Sequence, residues 1–142
     1  MVDLPASRPT YLSPGLVGLV FAGGSLGTFA RWAVGALVPH GRGLPVGTLT
    51  VNLLGAFALG LLLAALARGG PDEGRRRALR LTCGTGFCGG FTTYSALSVE
   101  TDALLRAGLV GTALAYALGT VVLGVVATAV GLALAGRVRP TT

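Results

Sequence analysis

The sequence predicts an all-α membrane protein with four transmembrane helices, the third of them broken. Three observations carry that class. Only 11% of the 142 residues are charged and 52% are hydrophobic, whereas a soluble domain needs about a quarter of its residues charged to coat its surface. The apolar residues fall in four uncharged runs, Tyr11–Ala30, Leu44–Ala67, Leu81–Val99 and Ala107–Gly136. Each approaches or exceeds the roughly 20 residues that carry a helix across a bilayer core. The third run alone is dense in both glycine and hydroxyl side chains, "GTGFCGGFTTYSALSVE" (84–100).

The elements follow in order. Residues 1–10 are polar and proline-containing and are expected to form a frayed tail. Helix 1 is expected from about Tyr11 to Val38, ending at Pro39, and "PHGRGLP" (39–45) supplies a Gly/Pro turn. Helix 2 covers about Val46–Ala67. The charged segment "RGGPDEGRRRALR" (68–80) is a loop, after which helix 3 enters the glycine-rich stretch. Gly89-Gly90 should weaken that helix, at about 1 kcal/mol per residue relative to alanine. The backbone groups released by a break are tolerated at membrane depth only where protein or a water-filled path surrounds them. Helix 4 runs from about Leu109 to Gly136. The whole chain, 1–142, is expected to be a single four-helix membrane domain.

Charge sets the next expectations. The first run lacks a Lys/Arg-rich leader and is too long for a signal core, so no cleavable signal is expected. With four spans, the N-terminus, the helix 2–3 loop and the C-terminus share one side. That side holds Arg8, Arg68, Arg75, Arg76, Arg77, Arg80, Arg137 and Arg139; the other holds Arg42 and Arg106, with Arg31 just inside. The positive-inside rule therefore favours cytoplasmic termini. The net charge of +6 belongs to arginines flanking spans, and no basic patch is interleaved with aromatics, so nucleic-acid binding is not expected. Cys83 and Cys88 lie five apart, on different faces of an α-helix, and His40 cannot complete a zinc set with them. They read as small buried thiols.

Small residues at helical spacing (Gly23 and Gly27, Ala56 and Gly60, Gly86 and Gly90, Gly111, Ala115 and Gly119) allow close helix approach in lipid. Polar residues inside the spans are costly unless partnered. Asn52 stands one turn after Thr48, so amide and hydroxyl share a helix face. Thr112, Tyr116 and Thr120 make a hydroxyl stripe on helix 4, and Thr92, Thr93, Tyr94, Ser95 and Ser98 enrich helix 3. A lone Asn is usually interhelical glue and a lone Thr usually bonds its own helix, but three helices here offer polar faces. No Lys occurs anywhere, and no Asp, Glu or His is expected at membrane depth. Hydroxyls, an amide and aromatic edges are neutral ligands suited to a small anion that must also be released. No residue set points to an enzyme.

"GFCGGFTTYSALSVE" (86–100) closely resembles the third-helix signature of the Fluc family of fluoride-specific channels, which typically reads G-F-C-G-G-F/L-T-T-F-S-T-F-S-x-E. "GTLTVNLLGAFALG" (47–60) resembles the family's second-helix motif and "GGSLGTFARW" (23–32) its first. Tyr116 and Thr120 match a helix 4 Tyr and hydroxyl spaced four apart. The resemblance covers nearly the whole membrane portion. It implies passive fluoride efflux across the inner (plasma) membrane that lowers cytoplasmic fluoride, through an antiparallel dual-topology dimer with two pores. It also implies a structural Na⁺ at the dimer centre, held by the backbone carbonyls of Gly89 and Thr92. Carried over residue by residue, Asn52 is the pore amide, and Thr48, Tyr94, Ser95, Tyr116 and Thr120 line the pore. Arg31 and Glu100 match positions that line a vestibule or hold structure. The pattern has phenylalanines where this chain has Tyr94 and Leu97. Tyrosine keeps the ring edge and adds a hydroxyl, while Leu97 removes one ring from each copy.

Three alternatives stand beside this reading. The chain could pair with an oppositely oriented paralogue, which its one-sided arginines favour. A small multidrug exporter shares four helices and antiparallel pairing but needs a first-span carboxylate, which helix 1 lacks. A structural membrane protein would leave three polar faces and a broken helix without a purpose.

Overall fold

The computed structural model describes residues 13–38 and 43–137, and every element among them is helical. Helix α1 (Pro14–Leu37) starts with proline in its first turn, where the missing N–H costs nothing. Helix α2 spans Val46–Arg68 and α6 spans Val110–Arg137. These three helices are long and apolar enough to cross a membrane. Their surfaces agree: Phe21, Phe29, Trp32, Leu37, Leu118 and Val125 are all exposed, an outward apolar coat suited to lipid. The expected tail 1–10, the start of the Gly/Pro turn at Pro39 with His40 and Arg42, and Arg139 lie outside the described residues.

The third apolar run is not one helix. Its helix starts earlier, as α3 (Gly74–Leu79) within the charged segment expected to be a loop, and widens into a π-helical stretch, Arg80–Cys88. A short α4 (Gly89–Phe91) follows, and the chain restarts as α5 (Tyr94–Arg106). The break falls at Thr92 and Thr93, both in extended conformation (ψ 162° and 122°), two residues beyond the expected Gly89-Gly90. Those glycines remain helical. The i→i+5 spacing of a π-helix also brings Cys83 and Cys88 toward one face, where an α-helix would separate them. Cys88 is buried and Cys83 half-buried, and both are free thiols.

The glycines serve packing. A methyl group on Gly23 would overlap the Thr82 carbonyl, and one on Gly27 the Phe87 carbonyl; from the other side, Gly86 and Gly90 meet the backbone of Val20 and Gly24. Helix α1 thus lies backbone to backbone against the π stretch and α4. The same device joins α2 to α6, with Gly60 against Thr128 and Gly131 against the Phe57 carbonyl. Nothing lies within 4 Å of where a side chain on Gly111 or Gly119 would start, so the stripe at the start of α6 packs no helix among the described residues. Helix α5 lies on α6 through Leu97, Leu104, Ala113 and Tyr116, with Leu49 of α2 alongside.

Two ties close the arginine-rich end. The Arg68 guanidinium donates to the Ala135 carbonyl, joining the ends of α2 and α6. Asp72, in the loop between α2 and α3, accepts two hydrogen bonds from Arg80 of the π stretch, at 3.0 and 2.8 Å. The Arg80 bond holds the Asp72 carboxyl below its ordinary range, with the charges of Arg80 and Arg77 adding to it. A carboxylate with a lowered folded pKa stabilises the fold above its unfolded value and loses that contribution as pH falls through the folded one. Asp72→Asn is therefore expected to lower the melting temperature slightly at neutral pH, and the difference should vanish only below the ordinary carboxylate range.

Candidate functional site

The break gathers partners from two distant helices. Thr93 N–H donates to Asn52 Oδ1 at 2.8 Å, and Asn52 Nδ2 donates to the Thr93 carbonyl at 3.0 Å. The amide of α2 thus replaces the helical bond that the Thr93 N–H gives up, and it adds a donor to the Thr93 carbonyl, which as the N-cap carbonyl also accepts the first bond of α5. Arg31 of α1 reaches the same place, its Nη1 donating to the Thr92 carbonyl at 3.0 Å. Thr93 Oγ1 then accepts the Ala96 N–H at 3.1 Å and so caps α5, which is how the helix restarts at once. The Thr92 hydroxyl donates back to the Cys88 carbonyl.

One consequence falls on Gly89. The group that would close its helical turn is the Thr93 N–H, which is turned to Asn52 instead. The Gly89 carbonyl is left without that partner, and nothing lies within 4 Å of where a Gly89 side chain would start.

A second cluster centres on Glu100 of α5. Its Oε1 accepts from the Thr48 hydroxyl at 2.7 Å and its Oε2 from the Tyr116 hydroxyl at 2.6 Å. The donors are the neutral hydroxyls expected from the sequence, but both are turned to a carboxylate that joins α2, α5 and α6 at one point. Tyr116 is only 3% exposed and Thr120 is buried. The Thr120 hydroxyl donates to the Tyr116 carbonyl at 2.7 Å, as do Ser98 to Tyr94, Thr101 to Leu97 and Thr128 to Gly124. For these four the ordinary helix-bonded reading holds.

Two cavities flank the break. One of about 650 Å³ is bounded by Arg31, Thr48, Thr93, Ser95 and Glu100, near the turn at Leu44. Another of about 490 Å³ is bounded by Asn52, Gly89, Thr92, Thr93, Tyr94 and Thr128. Thr93 borders both, so its pairing with Asn52 stands between them. Among the sequence-derived residues, Arg31, Thr48 and Ser95 therefore share one cavity with Glu100, while Asn52, Gly89, Thr92 and Tyr94 share the other. Tyr94 is 82% exposed and Leu97 is 8% exposed, packed in the α5–α6 core. Tyr116 and Thr120 lie deeper in α6.

Sequence reasoning gave Thr93 no role of its own, yet its backbone and hydroxyl both work at the break. Its signal was available: a threonine three residues before the N–H that it caps, at a helix start. No cluster of three metal-ligating side chains occurs among the described residues.

The family described as CrcB-like protein, Camphor Resistance (CrcB), has a model that matches residues 18–132, from the first turns of α1 into the last turns of α6. The chain belongs to the CrcB family. The matched span contains the break, both of its clamps and the Glu100 cluster. The chain is 47% identical over 133 residues to the fluoride-specific ion channel FluC 2 of Leifsonia xyli subsp. xyli, covering 94% of this chain and 92% of that one. Over 112 residues it is 51% identical to FluC 1 of Cutibacterium acnes, 78% of each chain. It is also 47% identical over 120 residues to a FluC of Thermus thermophilus, 83% of this chain and 93% of the other. These relatives are named as channels, not enzymes, and membership of the CrcB family sets the multidrug-exporter alternative aside.

Proposed function

We propose that this chain forms a fluoride-selective channel that lowers cytoplasmic fluoride by passive efflux across the inner membrane. The observation that carries the reading is near-full-length identity of 47% to a chain named for that activity. The arrangement at the break supports it. The two cavities meet at the Asn52–Thr93 pair, whose amide and hydroxyl are uncharged groups able to replace part of an anion's hydration and release it. Ser95 adds a hydroxyl on α5 and Tyr94 offers its ring from an exposed position; Thr48, Tyr116 and Thr120 would serve an anion only by turning their hydroxyls away from Glu100 and the Tyr116 carbonyl. Arg31 and Glu100, facing one cavity, give its mouth one charge of each sign.

The channel is assembled from two antiparallel copies. Support comes from the open side of the break, where Gly89, Tyr94 and the second cavity face outward with no covering element among the described residues. Gly89 and Thr92 suit a structural Na⁺ at the centre of such a dimer. The Gly89 carbonyl lacks its helical donor, and the Thr92 carbonyl keeps a second lone pair beside the one that Arg31 takes. Carbonyl oxygens are hard donors matched to a hard cation, and the ion would join the two broken helices where they cross.

Liposomes loaded with potassium fluoride and containing the purified chain are expected to release fluoride when a potassium ionophore balances charge, and to retain chloride. Chloride release at a comparable rate would exclude selectivity. A second reading, pairing with an oppositely oriented paralogue, is favoured by the eight arginines assigned to one side. It predicts no release from the chain alone and one-sided cysteine labelling of each loop in cells. Two-sided labelling with release supports the homodimer.

A further inference from the structure

We infer that the arginine-rich end carries a built seat for an anionic phospholipid, between the start of α1 and the start of the third span. An open groove of about 640 Å³ there has two kinds of wall. Val17, Val20 and Phe21 of α1 and Leu81 of the π stretch make it apolar; Arg77 and Arg80 rim it together with the carboxylate of Asp72. Phe21 is 76% exposed, a ring left uncovered at one edge of the groove. The guanidiniums stand where α1 begins, α2 ends and α6 ends, the level at which a bilayer places its phosphates.

Charge complementarity identifies the occupant. Arg68, Arg75, Arg76, Arg77, Arg80 and Arg137 lie at this end, against Asp72 and Glu73 as the acids among the described residues. Arg80 is committed to Asp72 through two hydrogen bonds. Arg77 is not spent in the same way. Its Nε donates to the Asp72 carbonyl at 3.0 Å, and its terminal nitrogens make no hydrogen bond among the described residues. Asp72 therefore acts as a brace that holds Arg77 and Arg80 side by side over the groove. A planar guanidinium with free N–H groups above an aliphatic wall matches a lipid phosphate with an acyl chain beneath it. A free phosphate would use only the rim, and a neutral lipid only the wall.

The test is native mass spectrometry of the full-length protein, released from mixed micelles holding equal amounts of phosphatidylglycerol and phosphatidylcholine. Phosphatidylglycerol should be retained in preference, and Arg77→Gln should reduce that preference about fivefold, the factor for one arginine at an anionic surface. Phe21→Gln changes an exposed side chain and should lower retention of the same lipid. Gel filtration reports whether each variant keeps its fold. Equal retention of the two lipids overturns the proposal, leaving the groove to residues 1–12 or to a second copy. A preference unchanged in Arg77→Gln overturns it as well. Displacement of the lipid by millimolar inorganic phosphate, with Phe21→Gln silent, would mean that the rim binds phosphate alone.

Discussion

Replacing Asn52 by alanine is expected to reduce fluoride release from liposomes by at least about tenfold and to lower thermal stability together with it. The two effects have one origin. Asn52 gives a donor and an acceptor to the backbone of Thr93, and alanine leaves the Thr93 N–H without a partner and takes one of two donors from its carbonyl. A buried polar group left unpaired costs about 1–3 kcal/mol, and the Thr93 N–H is exposed to that cost here. Asn52→Asp separates the roles. It keeps an acceptor for the Thr93 N–H but sets a carboxylate against the Thr93 carbonyl and places a negative charge between the two cavities. Stability should fall less than in the alanine variant, while fluoride release should fall as far or further. Efflux recorded with a fluoride electrode and melting in detergent measure the two quantities. Normal efflux in both variants, with only stability lost, would reduce Asn52 to a clamp.

The other large effect belongs to Gly27. Any side chain there meets the Phe87 carbonyl and the Phe91 amide, which are backbone groups and cannot rotate away. Overpacking a tight contact costs about 1–3 kcal/mol, occasionally more, and a backbone neighbour places Gly27→Val at the upper end. Moving α1 outward also withdraws Arg31 from the Thr92 carbonyl, 61 residues away in the chain, so conduction should fall with stability. Gly35→Ala is the control on the same helix. Nothing lies within 4 Å of its added methyl, and the change should be neutral or stabilising, by at most about 1 kcal/mol. Equal melting temperatures for Gly27→Val and Gly35→Ala would show that α1 does not lie backbone to backbone on the third span.

These two residues divide what local chemistry can say from what it cannot. Run length and the absence of charge are properties of a segment alone, so three spans were legible with bounds within a few residues of α1, α2 and α6. The presence of a break in the third run was legible too, because no α-helix of ordinary composition concentrates glycines and hydroxyls in that way. The spacing of Thr48 and Asn52 marked a polar face, since a four-residue step on α2 is a neighbouring pair wherever the helix goes. The place of the break was not legible. Propensity pointed to Gly89-Gly90, but Gly90 is spent on contact with Gly24, and both glycines stay helical. The chain opens instead at Thr92 and Thr93, where Asn52 and Arg31 supply the bonds that the helix loses. Glu100 follows the same logic: it collects hydroxyls from α2 and α6 at separations of 52 and 16 residues. A broken helix costs backbone hydrogen bonds, and only groups from other helices can restore them in a medium without water. Where the helix breaks is therefore settled by which distant donors and acceptors arrive, a quantity that exists only once the helices are packed.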